Sequence, residues 1–244
     1  MSKVPEVTLI FWVIKIAATT LGETAGDAAS MSLDLGYVVA TAVFAVIFLV
    51  AVALQISANG FRPTLYWTTI IASTTIGTTL ADLADRSLGI GYAGGSLLLL
   101  ALLIAALVAW YLTLGSVSFR TVTYPSAELF YWVTIMFSQT LGTALGDWTA
   151  DTMGLGYAGA AGIFGGALLA IPTAYFRTSI SRTALFWMAF ILTRPLGAVV
   201  GDFLDKPVAE GGLALSRYAA SAALLVFILL FIWLLPQKAA RERH

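Results

Sequence analysis

A single pattern, W-V-I-K-I-A-A-T-T-L-G-E-T-A-G-D from Trp12 to Asp27, recurs along the chain and constrains it more than any other feature. Aligned on tryptophan, its four copies start at Trp12, Trp67, Trp132 and Trp187. Ten residues on, each copy has a glycine (Gly22, Gly77, Gly142, Gly197). Fifteen residues on, each has an aspartate (Asp27, Asp82, Asp147, Asp202). Three copies continue to a Gly-Tyr pair, Gly36-Tyr37, Gly91-Tyr92 and Gly156-Tyr157, whereas the fourth is interrupted by an insertion near 206–215 before Tyr218. Matching at one register means that a single supersecondary unit is built four times and stacked on itself.

Each repeat supplies two apolar segments of roughly 20 residues, the length that crosses a hydrocarbon core about 30 Å thick. Only 11% of the residues are charged and 59% are hydrophobic, with a mean hydropathy of +0.91. A soluble domain carries about 25% charged residues, so this chain lacks the polar atoms to cover a water-facing surface. The expectation is an all-α polytopic membrane protein, a multi-pass chain in the lipid bilayer. Eight transmembrane helices fall near 8–30, 36–57, 63–85, 91–114, 127–150, 156–176, 183–205 and 213–235. The even helices are nearly all Leu, Val, Ile, Ala and Phe and read as packing and lipid-facing helices.

The tryptophans are spaced 55, 65 and 55 residues apart. The chain therefore divides into two pseudo-symmetric halves, 1–114 (repeats one and two) and 127–244 (repeats three and four), joined by a linker at 115–126. With two spans per repeat every copy enters from the same side, and the pseudo-symmetry axis lies along the membrane normal. Basic residues orient the chain. Lys3, Arg62, Arg120, Arg177, Arg182, Lys238, Arg241 and Arg243 lie between repeats or at the termini, against Arg86, Lys206 and Arg217 within repeats. The positive-inside rule then places both termini in the cytoplasm, with the tryptophans near the cytoplasmic interface. At ~1.5 Å per residue the aspartates lie ~22 Å deeper. The N-terminal span carries the repeat motif, so it reads as a structural segment and not as a cleaved signal.

Zero net charge gives no case for nucleic acid as a partner. The absence of cysteine excludes disulfides and thiolate metal sites, and the only histidine is His244. No Ser/Lys pair in motif context, HExxH or phosphate loop is present, so the chain does not read as an enzyme, and no cofactor is implied. What remains is a constellation of oxygen ligands. Positions 8, 11 and 15 after each tryptophan fall within about 60° on a helix. They are Thr20, Glu23 and Asp27; Thr75, Thr78 and Asp82; Thr140, Thr143 and Asp147; and Pro195, Ala198 and Asp202. Carboxylate and hydroxyl oxygens suit Mg²⁺, Ca²⁺ or Mn²⁺. A neighbouring stripe of small residues, Gly22/Gly26 through Gly197/Gly201, allows helix backbones to approach closely.

Two cations lie at membrane depth. Lys15 is placed to snorkel to the interface. Arg194, before Pro195, is expected to pair with Glu23. Set against Glu23, Asp27, Asp82, Asp147 and Asp202, these two leave three unpaired negative charges, each costing at least ~2.5–3.5 kcal/mol in a bilayer. Protons, a bound cation or water must compensate. The bland alternative makes the four aspartates exposed helix C-caps, although a negative charge at a C-terminus opposes the macrodipole. Tyr37, Tyr92 and Tyr157 read as interfacial belt residues.

Through the four tryptophans and the T-T-x-G-x-T-x-x-D type motif, best kept in T-T-L-G-E-T-A-G-D and T-T-I-G-T-T-L-A-D, nearly the whole chain resembles a bacterial family of membrane-anchored integral membrane proteins with four tandem two-span repeats. Repeat four, R-P-L-G-A-V-V-G-D, departs most. The resemblance implies eight spans and a bacterial inner membrane, and little about activity. The residues themselves lead to a secondary transporter of a hard divalent cation, Mn²⁺ exported against protons. Its metal site would be Glu23, Asp27, Asp82, Asp147 and Asp202, with Thr20, Thr75, Thr78 and Thr143 as hydroxyl partners and Arg194 and Lys15 as counter-charges. Alternatives are a cation channel, a transporter of a small organic or anionic solute bound by Arg194 and Lys15, and a structural or partner-binding protein. A homo-oligomer is compatible with all of them.

Overall fold

The computed structural model describes residues 2–240; Arg241, Arg243 and His244, used in the sequence argument above, lie outside the described residues. The repeats form eight long helices: α1 (Leu9–Asp27), α2 (Gly36–Ser57), α3 (Pro63–Asp82), α4 (Tyr92–Leu114), α5 (Pro125–Asp147), α6 (Gly156–Arg177), α7 (Arg182–Asp205) and α8 (Arg217–Leu234). Their limits follow local rules. Pro63 and Pro125 open α3 and α5, where the missing N–H costs nothing. Thr8, Ser181 and Ser216 cap α1, α7 and α8 by accepting backbone N–H bonds. The start of α8 is later than the apolar run suggests, because the insertion folds as a short 3-10 turn, Val208–Glu210, and a loop that ends in the Ser216 cap.

Six segments among the described residues are long and apolar enough to cross a membrane, those built on α1, α2, α4, α6, α7 and α8. The Thr, Ser and Gln content of α3 and α5 sets them apart. Those polar side chains are buried, for example Ser73, Thr74, Thr75 and Thr78 on α3 and Ser138, Gln139, Thr140 and Thr143 on α5.

The odd helices form a closed inner ring, in which α1 packs on α3, α3 on α5, α5 on α7 and α7 back on α1. Each even helix lies outside the ring against the odd helix of the next repeat: α2 on α3, α4 on α5, α6 on α7, and α8 on α1. A repeat therefore buries its second helix on its neighbour, and the fourth closes onto the first. The outer helices bury only a few residues each and expose Val46, Leu97, Ile104, Leu169 and Trp233.

Close approach round the ring depends on the motif glycines. A methyl group on Gly22 would overlap Thr74, on Gly77 it would meet Gln139, on Gly142 Arg194, and on Gly197 Thr19. The glycine ten residues after each tryptophan thus receives the side chain seven residues after the next one, and the pattern closes from repeat four to repeat one.

At the opposite end from the aspartates, aromatic rings fill the bundle. Trp67, Trp132 and Trp187 are buried there with Phe11, Tyr66, Tyr131, Phe186 and Trp110. They pack in edge-to-face and tilted pairs, among them Tyr66–Trp67, Trp110–Trp187 and Phe11–Trp67. Trp67, Trp132 and Trp187 are core residues, while Trp12 is partly buried and packs against the same cluster. Tyr157 is likewise buried, with Ala160, Phe164 and Val199, and is not a belt residue. The chain's two ends cross this aromatic end. Lys3 pairs with Glu128 at 2.7 Å, Pro5 forms a bridge with Ala239, and the Trp67 indole donates to Gln237 at 2.7 Å. The linker joins them through Val117, whose carbonyl accepts from the Trp187 indole at 2.9 Å.

Candidate functional site

Four-residue spacing runs a buried column down each odd helix. On α1 it reads Lys15, Thr19, Glu23, Asp27; on α3 Ile70, Thr74, Thr78, Asp82; on α5 Ile135, Gln139, Thr143, Asp147; on α7 Phe190, Arg194, Ala198, Asp202. Residues four apart share a helix face, and all of these are buried. Down the ring the layers change from apolar, apart from Lys15, through Thr, Gln and Arg side chains to carboxylate.

In the third layer the four helices meet on one side chain. Arg194 is 0% exposed, and its Nη1 stands 3.0 Å from Glu23 Oε2, the partner expected from the sequence. Nη2 donates to Thr78 Oγ1 at 2.6 Å and to Thr143 Oγ1. Glu23, Thr78 and Thr143 occupy the same position in repeats one, two and three. Repeat four has Ala198 there, and its arginine reaches into this layer from one turn earlier. A single guanidinium therefore ties α7 to each of the other three ring helices. Thr20 and Thr75, expected as further site hydroxyls, instead donate to carbonyls of their own helices, Ile16 and Ile71.

Lys15 does not snorkel. It is 0% exposed, its Nζ lies 4.1 Å from the centroid of the Phe190 ring, and it has no hydrogen-bond partner among the described residues. The reason is its place in the column, which points it into the ring and not toward an interface. The cation–π contact with Phe190 partly replaces lost hydration.

The fourth layer holds the aspartates. They are not exposed C-caps: Asp27 is 1% exposed and Asp82, Asp147 and Asp202 are 3% exposed. After Asp27, Asp82 and Asp147 the helix continues as a five-residue π-helical turn, Ala28–Ser32, Leu83–Ser87 and Trp148–Thr152. Such turns are rare and concentrate at functional sites. The aspartates meet in two pairs, not in one cluster. Arg86 bridges Asp82 (Nε–Oδ1 2.8 Å) and Asp147 (Nη2–Oδ2 3.4 Å). Lys206 bridges Asp27 (Nζ–Oδ2 2.5 Å) and Asp202 (Nζ–Oδ1 3.1 Å). Each base thus holds the aspartate of its own repeat, one turn back, and that of the next repeat. Burial alone pushes the Lys206 ammonium down, but Asp202 and Asp27 more than offset it and hold it above the usual lysine range. Arg217 adds contacts to Asp205 at 3.3 Å and to Asp27 at 3.8 Å.

A family model described as Repeat of Unknown Function (DUF347) matches residues 10–61, 65–116, 130–181 and 185–239, one match for each tryptophan-aligned copy. The chain belongs to the DUF347 family. No curated protein and no solved structure matches it. The matched DUF347 segments each contain one inner and one outer helix, and the interval 117–129 left between the second and third coincides with most of the linker.

Within the DUF347 repeats, the sequence reading missed Arg86, Lys206 and Arg217 as site residues by counting them as loop charges. Two of them carry a local signal, since Arg86 and Lys206 follow Asp82 and Asp202 by four residues, the spacing at which helical ion pairs form. Their second partners come from another repeat and require the ring. The excess of three negative charges expected from Lys15 and Arg194 alone does not stand, because these three bases answer most of it inside the protein. Removing one partner from a buried ion pair of this kind is strongly destabilising.

Proposed function

We propose that this protein is a multi-pass transporter of the bacterial inner membrane that moves a hard divalent cation, Mn²⁺, outward in exchange for protons. All eight helices span the bilayer in this reading, with both termini cytoplasmic and a pseudo-symmetry axis running along the inner ring. The polar faces of α3 and α5 turn inward, so their low hydropathy is compatible with spanning. The observation that carries the reading is a layer of buried carboxylates at one end of the ring, each pair bridged by a single base of the protein's own, one positive charge for two negative ones. In this reading a transported ion or protons replace a side-chain cation at these carboxylates in turn. Glu23, with Arg194 as its fixed counter-charge, marks the next layer inward, and hydroxyls of Thr78 and Thr143 complete it.

An anionic-solute transporter needs Arg194 and Lys15 free to bind a ligand. Arg194 is engaged by three helices and Lys15 is sealed beneath Phe190, which weighs against that alternative. The test is Mn²⁺ flux in proteoliposomes with an imposed proton gradient, comparing wild type with Asp202→Asn. Gradient-driven flux that falls at least about tenfold in the variant supports the reading. Flux indifferent to the gradient would point to a channel, and no flux of Mn²⁺, Mg²⁺ or Ca²⁺ would reject cation transport.

A further inference from the structure

The two bridged aspartate pairs are related by the long period of the chain, and their sequences correspond: D82-L-A-D85-R86 and D202-F-L-D205-K206. Their surroundings differ. Asp85 lies against Gly95 of α4, and neither of its oxygens has a hydrogen-bond partner. Asp205 is turned the other way, and carboxylate oxygens of Asp27, Asp202 and Asp205 all lie within 4.8 Å of one another. The Asp205 side chain is 0% exposed, its Oδ2 faces Arg217 and its Oδ1 has no hydrogen-bond partner. The bridging base differs as well, Arg86 on one side and Lys206 on the other.

We propose that the transported cation binds on one side of the ring only, in the oxygen cluster of Asp27, Asp202 and Asp205, and that the Lys206 ammonium is a tethered competitor which fills this cluster between ions. The proposal rests on the cation-transport reading above and assigns its site. Oxygens within 4.8 Å of each other suit a metal centre with bonds of about 2.0–2.6 Å to each. Charge favours a dication. Three carboxylates and Arg217 carry two net negative charges, which a dication cancels and a single ammonium does not. A lysine is a compact point charge on a flexible stem and can withdraw, whereas the planar fork of Arg86 locks onto its two carboxylates.

The insertion peculiar to repeat four supplies the tether. The Leu213 and Leu215 amides donate to the Phe203 and Leu204 carbonyls, and the Ala214 amide donates to the carbonyl of Lys206 itself. Ala214 adopts a left-handed φ of 53° to make this turn. The loop is therefore stitched to the end of α7, and lifting it withdraws the ammonium from the carboxylates.

Thermal-shift titrations of the purified full chain with Mn²⁺, Mg²⁺ and Ca²⁺ at one fixed pH decide the matter. Lys206→Met should tighten the apparent Kd by at least about tenfold, or about 1.4 kcal/mol. Lys206→Arg, which keeps the charge and decides the question even if the methionine variant fails to fold, should weaken binding. Asp205→Asn should abolish the saturable shift, and Asp85→Asn, at the corresponding position against Gly95, should leave Kd within about threefold of wild type. Equal effects at Asp85 and Asp205, weaker binding in Lys206→Met, or an unchanged Kd in Asp205→Asn would overturn the assignment while cation binding itself survived. No shift with any of the three ions in wild type or in any Lys206 variant would take down both this assignment and the transport reading.

Discussion

The inner ring and the outer helices answer to different solvents. α1, α3, α5 and α7 bury hydroxyls, carboxylates, an arginine and a lysine, while α2, α4, α6 and α8 present Leu, Val and Ile outward. A water-soluble bundle has this arrangement the other way round. Many polar groups of the ring are satisfied by one another, as at Arg194, although Lys15 Nζ is not, and the outer helices expose few groups that need such partners. Helix association in such a setting rests on close packing and interhelical hydrogen bonds, not on expulsion of water. The motif glycines and the Arg194 node supply those two contributions here.

The largest effect should come from the node. Arg194→Met leaves Glu23 buried without its counter-charge and is expected to cost about 3–5 kcal/mol, read from the unfolding midpoint in detergent. Arg194→Met combined with Glu23→Gln should recover part of that loss, and a double variant as unstable as the single one would show that the arginine acts through packing alone. Next is a charge on the outer surface. Ile104→Lys, in the middle of α4 and 52% exposed, should reduce membrane insertion by ~2.5–3.5 kcal/mol, measured in an insertion assay. Normal insertion would mean that this face meets water and would break the comparison. Gly197→Ala drives a methyl group into Thr19, and such overpacking should cost about 1–3 kcal/mol. At the aromatic end, Tyr66→Phe removes the 2.7 Å bond between the Tyr66 and Tyr131 hydroxyls, for a loss of about 1 kcal/mol in the same unfolding assay. Smallest of all, Ile104→Ala should change stability by no more than about 0.5 kcal/mol.

Much of the ring is legible in the sequence because the repeat is strict. The helix limits, the close approach at Gly22, Gly77, Gly142 and Gly197, and the meeting of Arg194 with Glu23 all follow from period and register. What is not legible is adjacency between repeats. Nothing local says that Lys206 reaches Asp27, 179 positions away, because that contact exists only once α7 has closed on α1. Lys15 illustrates a signal present but outweighed. A lysine near a helix start ordinarily snorkels, yet its spacing of four from Thr19, and of eight and twelve from Glu23 and Asp27, places it on the buried column.

Because α8 returns to α1, the array has no end members. In an open stack of repeats the terminal units carry a polar outer face and the count can vary by one without changing the rest. Here each inner helix has two inner neighbours, each outer helix lies on the following unit, and Pro5 meets Ala239. Four is consequently a geometric quorum: removing or adding a unit would change the bore of the ring itself and part the Arg194 guanidinium from at least one of the oxygens it joins.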